Sequence, residues 1–258
     1  TNLYREHIDW HGDEGTYRRE KLRLLGLPGV DACVISASPE LVAAAGSARV
    51  VHFGQESGWH VAEDGIRDGG ALAVPVEWLP LRGRHNAENL CAALAALDAA
   101  WIQRPPLPEA VDGIAALPHR LQTVHSAGGV EWVDDSISTT PESTIAALDA
   151  YPGRPVVLIA GGLDRDQDYA ALGAMAARRD ATVLALPVTG ARIAEAARAA
   201  GATHVTEVAD MAEAVAAARK AAGPDTVVLL SPAAPSYNSY RNFEERGDHF
   251  AALASSAR

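Results

Sequence analysis

The chain has 258 residues with 22 basic and 33 acidic side chains, a formal charge of −11, and is 48% apolar and 21% charged. This composition excludes a disordered chain, and its net negative charge argues against sequence-independent binding to a nucleic-acid backbone. No apolar run of about 18 residues is present to span a bilayer, no signal-peptide pattern opens the chain, and the two distant cysteines, Cys33 and Cys91, suit a cytoplasmic protein better than a disulfide framework.

The spacing predicts a helix over 14–24, strands near 30–36 and 49–53, and glycine-punctuated hairpin segments at 59–63 and 71–75. From Asn86 to Gln103, Ala, Leu and Cys recur at three- and four-residue intervals, which is the mark of a helix. Arg104-Pro-Pro-Leu-Pro108 breaks that helix. The stretch 105–118 then reads as a short helix and a connection, and the domain boundary falls there, giving domains 1–117 and 118–258.

The second half opens with an expected hairpin, 121–126 and 130–134, turned through Ala127-Gly128-Gly129. A helix follows to about Ala150, with Thr139 as its cap and Glu142 returning the capping-box bond. Three short apolar runs, 155–160, 181–186 and 226–231, read as buried parallel strands. Alanine-rich helices are expected between them at 168–179, 190–200 and 210–222, with a last one at 240–255. Alternation at this interval implies βαβ units and a doubly wound α/β sheet. No internal repeat is present.

In an open α/β sheet, ligands sit outside the carboxyl ends of the strands, beside helix N-termini that favour anions. Four loops meet that rule: 134–140, 161–166, 187–190 and 231–236. They mix hydroxyls, glycines, acids and Arg165, which can hold a carboxylate through two parallel bonds. The plainer reading of the hydroxyls is as caps and turn residues, and of Arg165 as a solvated arginine. Asn86 and Asn89 share a helix face where amides can read a base edge, although Asn is also a favoured cap. His7 and Lys21 have no local meaning by spacing. Yet 20 of the 22 basic residues are arginine, so a lysine at position 21 poses a question.

Taken in order, Glu6-His-Ile-Asp-Trp10, Tyr17-Arg-Arg-Glu-Lys-Leu-Arg23, Gly83-Arg-His-Asn-Ala-Glu-Asn89, Leu117-Pro-His-Arg120 and Ser231 to Gly247 resemble the Mur ligase family across essentially the whole chain. The resemblance implies a partial P-loop-type ATPase central domain over 1–117, followed by a Rossmann-like, doubly wound C-terminal domain over 118–258 that binds glutamate. The family's G-x-x-G-K-[ST] P-loop lies upstream of the His7 region and is not found here. The chain is therefore expected to lack both the P-loop and the UDP-binding domain, and to be inactive alone.

The resemblance also implies the chemistry. ATP phosphorylates a substrate carboxylate, and the amine of glutamate displaces phosphate through a tetrahedral intermediate, with Mg2+ neutralising the developing charge. The substrates implied are UDP-N-acetylmuramoyl-L-alanine, glutamate and ATP, in peptidoglycan synthesis. By the same route, Lys21 as a carbamate and His7 are the catalytic, metal-linked pair. Asn86, Asn89, His119, Arg120 and Asp135 bind ATP, and Ser136, Thr139, Arg165, Ser236 and Phe243 line the glutamate pocket. A monomer is expected, with no nucleic-acid or membrane partner.

Three departures bear on the amino acid. Where the family reads Asp-Ser-Lys, this chain has Asp135-Ser136-Ile137, Arg165 stands in a lysine's place, and Pro235-Ser-Tyr-Asn238 departs from the family's pattern. These changes resemble a branch that adds L-glutamate, so L-glutamate is favoured and D-glutamate remains open. The alternatives are a folylpolyglutamate-synthetase-like ligase, or a non-catalytic nucleotide- or amino-acid-binding module. In a ligase, the 105–118 connection would be the hinge for domain closure.

Overall fold

The computed structural model describes residues 2–4, 8–79, 81–103 and 106–256. The chain divides into two compact units, 1–115 and 116–258.

The first unit begins with helices α1 (Ile8–His11) and α2 (Glu14–Arg23), the second capped by Asp13, whose side chain accepts from the Thr16 N–H. Strand β1 (Ala32–Ile35), helix α3 (Pro39–Ala44) and strand β2 (Arg49–His52) form a parallel pair with its crossover. Strands β3 (Trp59–Ala62), β4 (Gly65–Asp68) and β5 (Ala71–Pro75) form an antiparallel meander, where the sequence reading expected only two segments. Helix α4 (Arg84–Ala99) buries Ala87, Cys91, Leu94 and Ala95 against Phe53, Trp59, Ile66 and Val74, and α5 (Leu107–Asp112) adds Leu107 to that cluster.

Helix α4 stops earlier than its apolar spacing suggests. Trp101 turns to φ +56, its N–H bonds the Asp98 carbonyl, and the Ile102 N–H reaches back to the Leu97 carbonyl. That is a Schellman cap built on a residue other than glycine.

The second unit is a six-stranded sheet in the order β10-β9-β8-β11-β7-β6. Its strands are β6 (Gln122–Ala127), β7 (Val130–Asp134), β8 (Val156–Ala160), β9 (Thr182–Ala185), β10 (Val205–Glu207) and β11 (Val227–Leu230). All neighbours pair in parallel except the β6–β7 hairpin. The connecting helices are α6 (Pro141–Asp149), α7 (Ala170–Arg178), α8 (Gly190–Ala199) and α9 (Met211–Ala221), and α10 (Phe243–Ser255) ends the fold. Alternate side chains of the central strands feed two cores. Val133, Leu158, Val183 and Leu229 pack with α6, α7 and α8, while Val157, Ile159, Leu184 and Leu230 pack with α9 and α10. A sheet buried on both faces explains the near-continuous apolar runs.

The cap of α6 lies one residue later than expected. Thr140 accepts from the Ser143 N–H, and the Ser143 hydroxyl completes the box, so neither Thr139 nor Glu142 has that role. Among the described residues no helix is long and apolar enough to cross a membrane.

Candidate functional site

In the second unit the carboxyl ends of β7, β8 and β11 are tied together. The loop after β11 lies along the turn after β8: the Gly161 N–H bonds the Pro232 carbonyl at 2.8 Å, and the Leu163 N–H bonds the Pro235 carbonyl at 2.8 Å. Glycine is required at this approach, because a Cβ on Gly162 would overlap the Pro235 carbonyl oxygen, and Gly161 holds φ +133.

The end of β7 and the segment after it carry buried polar side chains, among them Asp134, Asp135 and Ser136. Asp135, 2% exposed, accepts from the Ser231 hydroxyl at 2.7 Å and the Leu121 N–H at 3.2 Å. Burial pushes its carboxyl up to about 6, against the lowering effect of its hydrogen bonds and of Arg120. Asp134 is also raised by burial, opposed by its bond to His119. Ser136 donates its hydroxyl to the Phe243 carbonyl at 2.8 Å and accepts from Arg246 Nε at 2.9 Å.

Arg246 is the centre of this arrangement. It is 1% exposed, and its other nitrogens donate to the Ser136 carbonyl (2.8 Å) and the Ala234 carbonyl (3.0 Å). Burial pulls its guanidinium down to about 10, so it is still a cation at neutral pH. One fork of donors therefore locks the β7 loop, the β11 loop and the start of α10 together. The ring of His119 meets Phe243 edge-on at 5.9 Å, and its Nδ1 pairs with Asp134 at 2.7 Å.

The loop after β8 holds a half-buried Arg165 and a buried Gln167. Gln167 donates from Nε2 to the Thr139 carbonyl at 3.1 Å, which joins this loop to the start of α6. Nearby, Arg192 from α8 bonds Asp164 at 2.7 Å and the Gln167 carbonyl at 2.7 Å.

In the first unit Lys21 is exposed, and its Nζ donates to the hydroxyl of the buried Tyr17 at 2.8 Å. His7 lies outside the described residues. No group of three His, Cys, Asp or Glu side chains able to hold a metal occurs among the described residues, and an unmodified lysine is a cation. Asn86 sits in the first turn of α4, its amide donating to the Arg82 carbonyl at 2.7 Å, and Asn89 is exposed. The cap of α4 is Gly83, so neither asparagine caps the helix.

Residues 119–234 match the family described as Mur ligase, glutamate ligase domain. The chain is 42% identical over 260 residues to the UDP-N-acetylmuramoyl-L-alanine--L-glutamate ligase of Salinispora tropica, covering 97% of this chain and 58% of that protein. The chain belongs to the Mur ligase family. It spans 58% of the length of that relative. Solved structures of family fold agree: MurF from Acinetobacter baumannii superposes with a TM-score of 0.72 at 18% identity, covering 99% of this chain and 58% of that one. A Mycobacterium tuberculosis folylpolyglutamate synthase, complexed with ADP and AMPPCP, gives 0.67 at 20% identity, covering 98% and 62%. At such identities these two speak for the α/β architecture with its Rossmann-like sheet.

Within this Mur ligase fold, His119, Asp135, Ser136, Ser236 and Phe243 all belong to the second unit's interlocked strand ends, with Ser236 2% exposed. Thr139 is joined through Gln167 to the loop that carries Arg165. Lys21, Asn86 and Asn89 belong to the first unit. Two residues escaped the sequence reading, Gln167 and Arg246, while Asp134 was placed in the 134–140 loop without a role of its own. Arg246 is preceded by Glu244 and Glu245 and reads as a solvated helix arginine. The available signal was the glycine after it, since Gly247 lets α10 approach the β7 loop so closely that a Cβ would overlap Asp134 and His119.

Proposed function

We propose that the protein containing this chain is an ATP-dependent ligase that joins L-glutamate to UDP-N-acetylmuramoyl-L-alanine through an acyl phosphate. The observation that carries this reading is the 42% identity, along 97% of the chain, to a relative named for that reaction. The folylpolyglutamate synthase shares the fold at 20% identity, which supports ATP as the common substrate and leaves the amino-acid acceptor to the closer relatives. The presence of both His7 and Lys21 argues against a non-catalytic module, which would have no use for a carbamate.

In this reading residues 1–117 are the later part of the ATPase domain and 118–258 the glutamate domain. Asn86, Asn89, His119, Arg120 and Asp135 serve the nucleotide. Lys21 as its carbamate, together with His7, would hold Mg2+, which supplies charge neutralisation to the phosphates when bound. The loops after β7, β8 and β11 offer Thr139, Arg165 and Ser236 respectively to the amino acid, with Ser136 and Phe243 fixed behind them by Arg246. Arg165 takes a glutamate carboxylate by paired, charge-assisted bonds. The protein acts as a cytoplasmic monomer, without nucleic-acid or membrane partners.

Arg165→Ala in the full-length enzyme tests the pocket. The KM for glutamate should rise at least about tenfold, the loss expected of a charge-assisted hydrogen bond, with the KM for ATP little changed. Equal increases in both would remove Arg165 from the glutamate site.

A further inference from the structure

His119 is held more tightly than a surface ligand-binding side chain needs to be. Its backbone adopts φ +60, a conformation uncommon outside glycine, and two main-chain bonds keep it there. The His119 N–H donates to Gln122 Oε1 at 3.0 Å, and the Ile137 N–H donates to the His119 carbonyl at 3.2 Å. The ring is then packed edge-on against Phe243 and against the bare Cα of Gly247. Its Nδ1 meets Asp134 Oδ2 at 2.7 Å, and Asp134 is 1% exposed. Nε2 has no partner among the described residues, and the side chain keeps 13% of its surface open.

The other oxygen of Asp134 is committed as well. Oδ1 accepts the Ser136 backbone N–H at 2.9 Å. A carboxylate offers only acceptors, so a neutral imidazole facing Oδ2 must carry its proton on Nδ1. We propose that Asp134 is a positioning residue for the nucleotide, which fixes the Nδ1–H tautomer of His119 and thereby turns Nε2 into a hydrogen-bond acceptor. The nucleotide group it receives is a donor, either the exocyclic amine of the base or a ribose hydroxyl. This rests on the assignment of His119 to ATP; the tautomer itself follows from the geometry alone. The same carboxylate holds Ser136, so the nucleotide-facing ring and the inner wall of the glutamate pocket share one buried anchor.

Asp134→Asn reverses the tautomer for a physical reason. The Ser136 N–H is a fixed donor, so the amide oxygen must turn towards it, and the NH2 is left facing Nδ1. The ring can accept that donor only by moving its proton to Nε2. Nitrogen-15 long-range NMR of the 258-residue chain, which distinguishes the two neutral ring forms, reads this directly. The wild type should show His119 as the Nδ1–H form and Asp134→Asn as the Nε2–H form. A wild-type His119 protonated on Nε2 overturns the proposal, even if the variant fails to fold.

In the full-length enzyme the variant should raise the KM for ATP about tenfold, since a donor would then face a donor, and leave the KM for glutamate within about twofold. An unchanged KM for ATP with a reversed tautomer, or equal changes in both constants, overturns the positioning role. To separate the two nucleotide donors, 2′-deoxy-ATP and ITP replace ATP in the wild type: loss of discrimination between wild type and variant identifies the group. Wild-type enzyme that consumes no glutamate overturns the functional reading instead, and leaves the tautomer result standing.

Discussion

Asp135 is a carboxylate kept where charge is unfavourable. Its hydrogen bonds with Ser138, Ser231 and Leu121 stabilise the anion, but burial outweighs them and its pKa rises to about 6. A folded state that holds the proton more tightly than the unfolded chain is favoured at low pH. The contribution is fully present below the unfolded value of 3.8 and is lost as pH rises through about 6. The size is on the order of 3 kcal/mol. Asp134 beside it shifts the same way, while Arg120 and Arg246 oppose the two shifts. Urea unfolding of wild type and Asp135→Asn at pH 4.5 and pH 7 isolates the effect. The stability difference should move in favour of the variant as pH rises, and a pH-independent difference would contradict it. Little of this was visible in the sequence: two adjacent aspartates after an apolar strand read as a solvated turn or a ligand site. Asp134 is covered by Gly247, and Asp135 is held by Ser231, both about 100 residues later in the chain.

Secondary elements whose signals are local were readable. The central strands of the second unit are short apolar runs because both sheet faces are covered, and the helices between them carry three- and four-residue apolar spacing. Elements that owe their existence to neighbours were not. Strand β10 is Val-Thr-Glu, three residues with one half-buried, and forms by pairing with β9. Strand β4 has Ile66 as its only large apolar residue, and α3 is six residues long. Gly173 shows how tertiary contact reverses a local rule. Inside a helix, Gly→Ala ordinarily stabilises by roughly 1 kcal/mol. Here α7 and α8 pack so closely that a Cβ on Gly173 would overlap the Ala196 carbonyl. Gly173→Ala should therefore destabilise the second unit by about 1–3 kcal/mol, seen as a lower urea midpoint. A higher midpoint would mean that the helices can separate at little cost.

At the scale of the whole molecule, the α/β class and the family were legible because motifs fall in the same order along the chain. The pairing of functions inside the second unit was not. His119, assigned to the nucleotide, and Phe243, assigned to glutamate, are 124 positions apart in sequence, yet their rings touch edge to face. Arg246 and Asp134 make that contact rigid, so one buried polar cluster supports both halves of the proposed reaction. Ile137 in place of the family's cation, and Arg165 in place of its lysine, change the charge of the proposed amino-acid pocket and support, beside the 42% identity, the proposed choice of L-glutamate over its mirror image.

The most direct test is phosphate release by the full-length enzyme supplied with ATP, Mg2+, UDP-N-acetylmuramoyl-L-alanine and each glutamate enantiomer in turn. The account predicts turnover that depends on the UDP-linked substrate and on L-glutamate, with an amide product of matching mass. Turnover with D-glutamate and none with L-glutamate, or with neither, would contradict it.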